Sequence, residues 1–307
     1  HRRQKTIPLS CDREKYSVML ESALRLFEER LILTSSLSRE RSYSSFEGQP
    51  SPQNRVTPKP RRIFLTNAGT GVKISLVKHT SFFANYSDAG RTPSFYELFG
   101  DRGTTFSNPQ LKPERTYRSD AGLRFDGAGG PIAFFFEGAY FHSKNRNLIQ
   151  WYANDAGFLF PDNVGASYIR GTETAWSLHF WERLSCKGNW TFQESKVTAE
   201  KNVIYQGKRL PNRPEYYGSV RVECPFRRAV FFWSLNSKGA YYLDRANQIH
   251  KRYPGRSFHD LGMTFPITER HLRYTIEARN ITDKHTFDTQ GMPLPGRSIS
   301  CVLTWGK

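Results

Sequence analysis

No apolar run in this chain approaches the roughly 18–20 residues that a membrane-crossing helix needs. The longest candidates, Ile132–Phe136 and Ala229–Trp233, are of strand length. Cysteine is sparse. Cys11, Cys186, Cys224 and Cys301 are the only four, and they show neither CxxC nor Cys–His ligand spacing. That set predicts unpaired thiols and no metal centre. There is no Gly-x-Ser-x-Gly elbow and no metal-binding histidine pair, so no catalytic constellation and no cofactor is expected. A nucleophile and base on neighbouring strands is the one enzymatic arrangement left open. Acidic residues are short too: 28 Asp and Glu face 45 Lys and Arg, a formal charge of +17. Nucleic-acid binding needs a basic helix or a compact aromatic-basic module. Neither is found, because the charges alternate along strands or sit in loops, and nucleic acid is not expected as a partner. The first residue is His1, and no signal-like apolar segment follows it, so any secretion signal is expected to be outside this stretch.

What is present is period two. Aromatics make up 14% of the residues although mean hydropathy is −0.63. That pairing suits a barrel with a thin apolar skin and a polar lumen. Leu272, Tyr274, Ile276 and Ala278 alternate with Arg273, Thr275 and Glu277. Val220, Val222 and Cys224 alternate with Ser219, Arg221 and Glu223, and similar patterns cover 18–26 and 117–125. A helical period of 3.6 does not keep charges on alternate positions. About thirteen strands are expected, from 15–28 to 296–305, with errors of about two to four residues at their ends. Their connections alternate short and long. The long ones fall near 41–62, 88–115, 142–168, 197–213, 242–256 and 280–296. Short turns on one side and long loops on the other mark an outer-membrane barrel. Trp181, Trp190, Trp233 and Trp305, with Tyr241 and Tyr242, fall near expected strand ends and read as aromatic girdles.

The longest motif lies in the second long connection. It has Arg91, Pro93, Phe95, Glu97, Leu98 and Phe99, then Asn108, Pro109, Leu111, Lys112, Pro113 and Glu114. This paired spacing resembles the corresponding loop of TonB-dependent outer-membrane receptors. Ile169-Arg170-Gly171-Thr172-Glu173 resembles a strand entry of those barrels, and Leu210-Pro211-Asn212-Arg213-Pro214 resembles the lead into a late strand. Arg279-Asn280-Ile281-Thr282-Asp283 with Pro295-Gly296-Arg297 resembles the last loop and final strand.

The resemblance implies an all-β, antiparallel transmembrane β-barrel, this chain being the C-terminal part of 22 strands. Residues 1–14 are expected to be an extracellular loop remnant and 15–307 the barrel wall, with plug and TonB-contacting segment outside the chain. Implied partners are a scarce nutrient, the TonB complex, outer-membrane lipid and lipopolysaccharide, in a Gram-negative-type outer membrane. The expected ligand is a ferric siderophore. Cobalamin or haem is the alternative within the family, and a passive diffusion pore the alternative outside it. Haem is disfavoured because residues 90–115 hold no histidine to ligate iron. Candidate ligand contacts are Arg91, Tyr96, Phe99, Arg102 and Phe106, joined by Trp151 and Tyr152 in the next long connection. Each has a second reading: the prolines, Glu97 and Leu98 shape a rigid loop, and the aromatics pack it onto the barrel mouth.

Overall fold

The computed structural model describes residues 10–47, 59–100, 105–153, 158–181, 183–200, 202–267, 272–289 and 292–305. Alternating side chains give strands throughout. In chain order they are β1 (Ser10–Leu26), β2 (Leu31–Glu47), β3 (Arg61–Val77), β4 (Thr80–Arg91), β5 (Glu114–Gly129), β6 (Ile132–Ala153), β7 (Leu159–Phe180), β8 (Leu184–Ala199), β9 (Tyr216–Phe226), β10 (Ala229–Lys238), β11 (Tyr241–Tyr242), β12 (Arg252–Tyr253), β13 (Arg256–Pro266), β14 (Leu272–Arg279), β15 (Phe287–Thr289), β16 (Met292–Pro293) and β17 (Ser298–Trp305). The one α-helix among the described residues, α1, is Phe95–Phe99.

Thirteen strands form one sheet in the order β1 to β10, then β13, β14 and β17. Every neighbouring pair runs antiparallel. The pairs β11–β12 and β15–β16 are small hairpins inside two of the long connections. The thirteen expected strands are all found. Several boundaries differ. β2 runs on to Glu47, into the connection expected from residue 41. β1 takes in Ser10–Glu14, assigned above to a loop, and residues 1–9 lie outside the described residues. The expected connection 142–168 is mostly strand, because β6 and β7 each run for 22 residues.

Register settles the two faces. Val222 opposes Trp233, Trp233 opposes Leu261, and Leu261 opposes Ala278. Residues directly opposite in a sheet share a face. Phe134, Leu178 and Cys186 extend this apolar row across the earlier strands. The next positions along the strands carry the other face. There Arg221 bonds Glu223 at 2.6 Å and Arg279 bonds Glu277 at 2.7 Å. Arg118 lies 3.5 Å from Glu173, and Arg124 lies 4.0 Å from Glu137. The first face is the lipid side and the second the lumen. Trp181, Trp233 and Trp305 stay on the wall, whereas Tyr241 is buried against Tyr253 in the β11–β12 hairpin and belongs to no girdle. Cys186, Cys224 and Cys301 are free thiols.

Two glycines answer to close approach. A Cβ on Gly171 of the strand-entry motif would lie 1.9 Å from the Phe192 carbonyl oxygen, so strands β7 and β8 need its bare backbone. Gly100 ends α1 at φ 68, in the left-handed region, with the Thr105 carbonyl 2.2 Å from where a Cβ would be.

The face assignment gives a direct test. In an intact barrel carrying this sheet, Ile276→Arg on the lipid side lowers unfolding free energy by up to about 2–4 kcal/mol. Thr275→Arg on the lumen side costs far less. Urea unfolding in vesicles reads the difference, and equal losses would refute the assignment.

Candidate functional site

The loop from Thr92 to Pro113 is built around one cation. Arg91, at the end of β4, donates to both carboxylate oxygens of Glu97, at 2.9 and 3.0 Å. It also donates to both oxygens of Glu114, the first residue of β5, at 2.7 and 3.2 Å. Two-pronged guanidinium–carboxylate pairing fixes geometry as well as energy. Glu97 has a second task. With Ser94 it closes a capping box: the Glu97 amide donates to the Ser94 hydroxyl at 3.2 Å, and the Ser94 amide donates to the Glu97 carboxylate at 2.7 Å. The motif therefore starts α1 and anchors it to the strand bases through one side chain. Burial pushes the Glu97 carboxyl up, but hydrogen bonds from Arg91 and Ser94 outweigh it and hold the carboxyl below its ordinary value.

The second half of the motif closes the loop. The Asn108 amide donates to the Glu97 carbonyl at 3.0 Å, and the Asn108 side chain donates to the Pro161 carbonyl at 3.2 Å. Leu111 is fully buried with Leu98 and Ile149, and Phe99 packs beside them. Asn163 clamps Lys112 from both sides, accepting from its amide at 2.7 Å and donating to its carbonyl at 3.1 Å.

Asn147 has φ 51, and the pairing of β6 with β7 skips it. Beyond that kink both faces of the β6 tip are covered. Ile149 meets the loop core, while Leu148 and Tyr152 join Val164, Val197 and Leu210 in a second core. Leu210 of the Leu-Pro motif is thus a core plug. Arg245 ties the next loop to this tip. It pairs with Glu200 at 2.9 Å and Asp162 at 3.2 Å, and lies over the Tyr152 ring at 4.1 Å. Nothing in the sequence marked Arg245, one arginine in a basic loop. Its paired carboxylates come from segments distant in the chain, Asp162 in β7 and Glu200 just past β8.

The sequence-derived candidates end in different places. Tyr96 is 49% exposed, its ring 5.3 Å from that of Trp151, with its hydroxyl 2.7 Å from that of Thr105. Arg91 is engaged by two carboxylates. Phe99 packs toward the loop core, and Phe106 lies edge-on to Phe158 at 5.2 Å. Tyr152 is buried, and burial pushes its hydroxyl up from the ordinary value. Arg102 lies outside the described residues. The last loop has its own organiser. Buried Asn280 donates to the carbonyls of Lys284 at 3.1 Å and Pro295 at 3.2 Å.

A strand meander with lipid-side and lumen faces, capped by interlocked loops at one end, matches a family model described as TonB dependent receptor-like, beta-barrel, over residues 10–281. The chain belongs to the TonB-dependent receptor family. Members are outer-membrane receptors and transporters of Gram-negative bacteria rather than enzymes. No curated protein compared with it matches. Among solved structures, the siderophore receptor PiuA from Acinetobacter baumannii has a TM-score of 0.79 at 16% identity, covering 97% of this chain and 44% of that one. The copper transporter OprC gives 0.78 at 16%, covering 96% and 47%. The ferric-catecholate import receptor Fiu from K12 E. coli, in a closed form, gives 0.74 at 15%, covering 97% and 45%. At these identities the likeness is one of fold. The receptor chain spans about half the length of the solved receptors it matches.

Glu97 supplies a pH test with a definite sign. Its folded carboxyl sits below 4.5. The stabilisation is therefore present above the ordinary carboxylate range and is lost as pH falls through the lowered value. Amides of residues 94–100 and 105–111 exchange slowly at pH 7 and open only as pH falls below the ordinary carboxylate range, through the lowered value of Glu97. Glu97→Gln leaves them open at both pH values, weakening loop closure by roughly 1–3 kcal/mol. Protection that persists at low pH in the native protein would show that the lock does not hold the loop.

Proposed function

We propose that the intact receptor carrying this barrel wall captures a ferric siderophore at its loop face and imports it with TonB-coupled energy. One observation carries the reading: the exposed face of Tyr96, set beside Trp151 on a loop that Arg91, Glu97 and Glu114 lock to the wall. Ferric siderophores are anionic and often aromatic. A rigid aromatic shelf within a strongly cationic chain offers them stacking and long-range attraction together. Two of the solved relatives are named as a siderophore receptor and a ferric-catecholate import receptor, which favours the same ligand class. In this reading Tyr96 and Trp151 touch the ligand. Arg102 adds charge, while Arg91, Phe99, Phe106 and Tyr152 shape the shelf. Cobalamin offers mostly amide groups and gains less from cationic loops.

The test is binding and uptake of radiolabelled ferric siderophore in the full-length receptor. Tyr96→Ala with Trp151→Ala lowers affinity about tenfold or more, with the heat-modifiable barrel intact. Arg102→Ala lowers it more at low salt than at high salt. Unchanged affinity in the aromatic double variant overturns the siderophore shelf. Uptake that continues without TonB supports the passive pore instead.

A further inference from the structure

Beyond Asn147 the wall narrows to a ribbon. β5 pairs with β6 only as far as Arg146, and β8 pairs with β7 only from Ala166 onward. Residues 148–153 of β6 and 159–164 of β7 therefore have only each other as sheet partners among the described strands. A two-stranded ribbon by itself is marginally stable in water. This one is weakest where the aromatic shelf is built. Trp151 stands directly opposite Pro161, which has no amide to give the ladder. The Trp151 ring keeps its place beside Tyr96 only if something else holds the plane of the ribbon.

The loop side supplies part of that support. The Phe106 amide donates to the Leu159 carbonyl at 2.7 Å, and the Asn108 side chain donates to the Pro161 carbonyl at 3.2 Å. Ile149 and Trp151 face this loop, and alternation turns Leu148 and Tyr152 to the other side. There the support comes from Arg245. Its guanidinium lies over two rings, 4.1 Å from the centroid of Tyr152 and 4.8 Å from that of Tyr205. It donates to Asp162, directly opposite Gln150 on the ribbon, at 3.2 Å, and to Glu200 at 2.9 Å. The Arg245 side chain is 18% exposed and that of Glu200 7%, so salt and water screen this pair little.

Arg245 is itself held. The Asp244 carboxylate accepts from the Gln248 amide at 3.1 Å. Asn247 accepts from the Arg209 amide at 2.7 Å and donates to the Arg209 carbonyl at 3.0 Å. The Asn212 amide donates to the Tyr242 carbonyl at 2.8 Å. The turn that carries the arginine is thereby fastened to residues 209–212, and the arginine reaches from there to the ribbon.

We propose that Arg245 is a positioning residue for the ligand shelf. From behind the β6–β7 ribbon it fixes the plane of Tyr152, and through the adjoining residue it fixes the presentation of the Trp151 ring to Tyr96. A planar, forked cation suits the task, because it stacks on rings while its edge meets carboxylates. Successive strand residues point to opposite faces, so Arg245 works on the side away from Tyr96 and acts only through the ribbon. Its effect on ligand binding rests on the siderophore reading, whereas its effect on Trp151 does not.

The experiment uses the full-length receptor in detergent micelles with 5-fluorotryptophan at position 151, read by fluorine NMR without ligand. The unaltered receptor gives one narrow resonance, which Tyr96→Ala shifts. Arg245→Ala broadens it and moves it toward the Tyr96→Ala position. Arg245→Met with Glu200→Gln, which leaves no buried carboxylate unpaired, does the same, and heat-modifiability shows that each variant keeps its barrel. Amides of residues 94–100 stay slow to exchange in both variants, because the Arg91 lock is untouched. Ferric siderophore binding then closes a double-mutant cycle. Arg245→Ala lowers affinity about fivefold or more, and lowers it no further in a Trp151→Ala background. A Trp151 resonance unchanged in both Arg245 variants overturns the proposal. So does opening of the 94–100 amides, which makes Arg245 a general support of the loop, and so does an equal loss with and without Trp151. If Tyr96→Ala with Trp151→Ala leaves siderophore affinity intact, the siderophore shelf falls and the fluorine resonance alone decides the role of Arg245.

Discussion

In hydrocarbon no water is available to satisfy a peptide group, so each N–H and C=O that crosses must find its partner within the protein. That requirement explains the shape of this chain better than any side chain does. Thirteen strands pair in one unbroken antiparallel succession, and two-stranded hairpins occur only within the long connections. The same requirement explains how polar residues coexist with a lipid-facing wall. With period two, a mostly polar lumen face lies beside an apolar lipid face along the wall, so a chain with a mean hydropathy of −0.63 still presents an apolar belt. Lumen charges sit two positions apart and pair with each other, as Arg221 does with Glu223 and Arg279 with Glu277.

Outside the belt the constraint changes, and so does the construction. β6 and β7 run to 22 residues, about twice the 9–11 that a tilted strand needs to cross. Their outer halves are held by small local cores and by ion pairs between side chains distant in sequence. Arg91, Glu97 and Glu114 bring the two strand bases and α1 to one point. Arg245, Glu200 and Asp162 do the same for the neighbouring loop. Both are arginines meeting two carboxylates, and both lie beside a buried aliphatic cluster.

The wall was legible in the sequence because its signal is local. Alternation at 216–224 and 272–278 identifies the strands and their faces without any partner. The loop motif was legible as a constellation, since Arg91, Glu97, Asn108 and Glu114 recur in a known spacing, but its internal chemistry was not. That Arg91 grips two carboxylates follows only when β4 and β5 are side by side. The extensions of β6 and β7 were misread as a loop for a physical reason. In 143–147 the alternation is small polar against charged, Ser143 and Asn145 against Lys144 and Arg146, which a search for apolar periodicity passes over. Arg245 carried no signal, because its partners, Glu200 just past β8 and Asp162 in β7, lie 45 and 83 residues away.

That same polar alternation bears on how the outer wall works. A strand that stays paired beyond the membrane and turns lysine and arginine outward keeps its backbone satisfied while changing the character of its surface. Along β6 the outward positions pass from Phe134 and Phe136 to Tyr140, then to His142, Lys144 and Arg146. The chemistry along this face runs from apolar through aromatic to cationic. Backbone pairing is indifferent to which of these side chains a position carries. One uninterrupted strand can therefore carry all three, while its inward face seats the loop core.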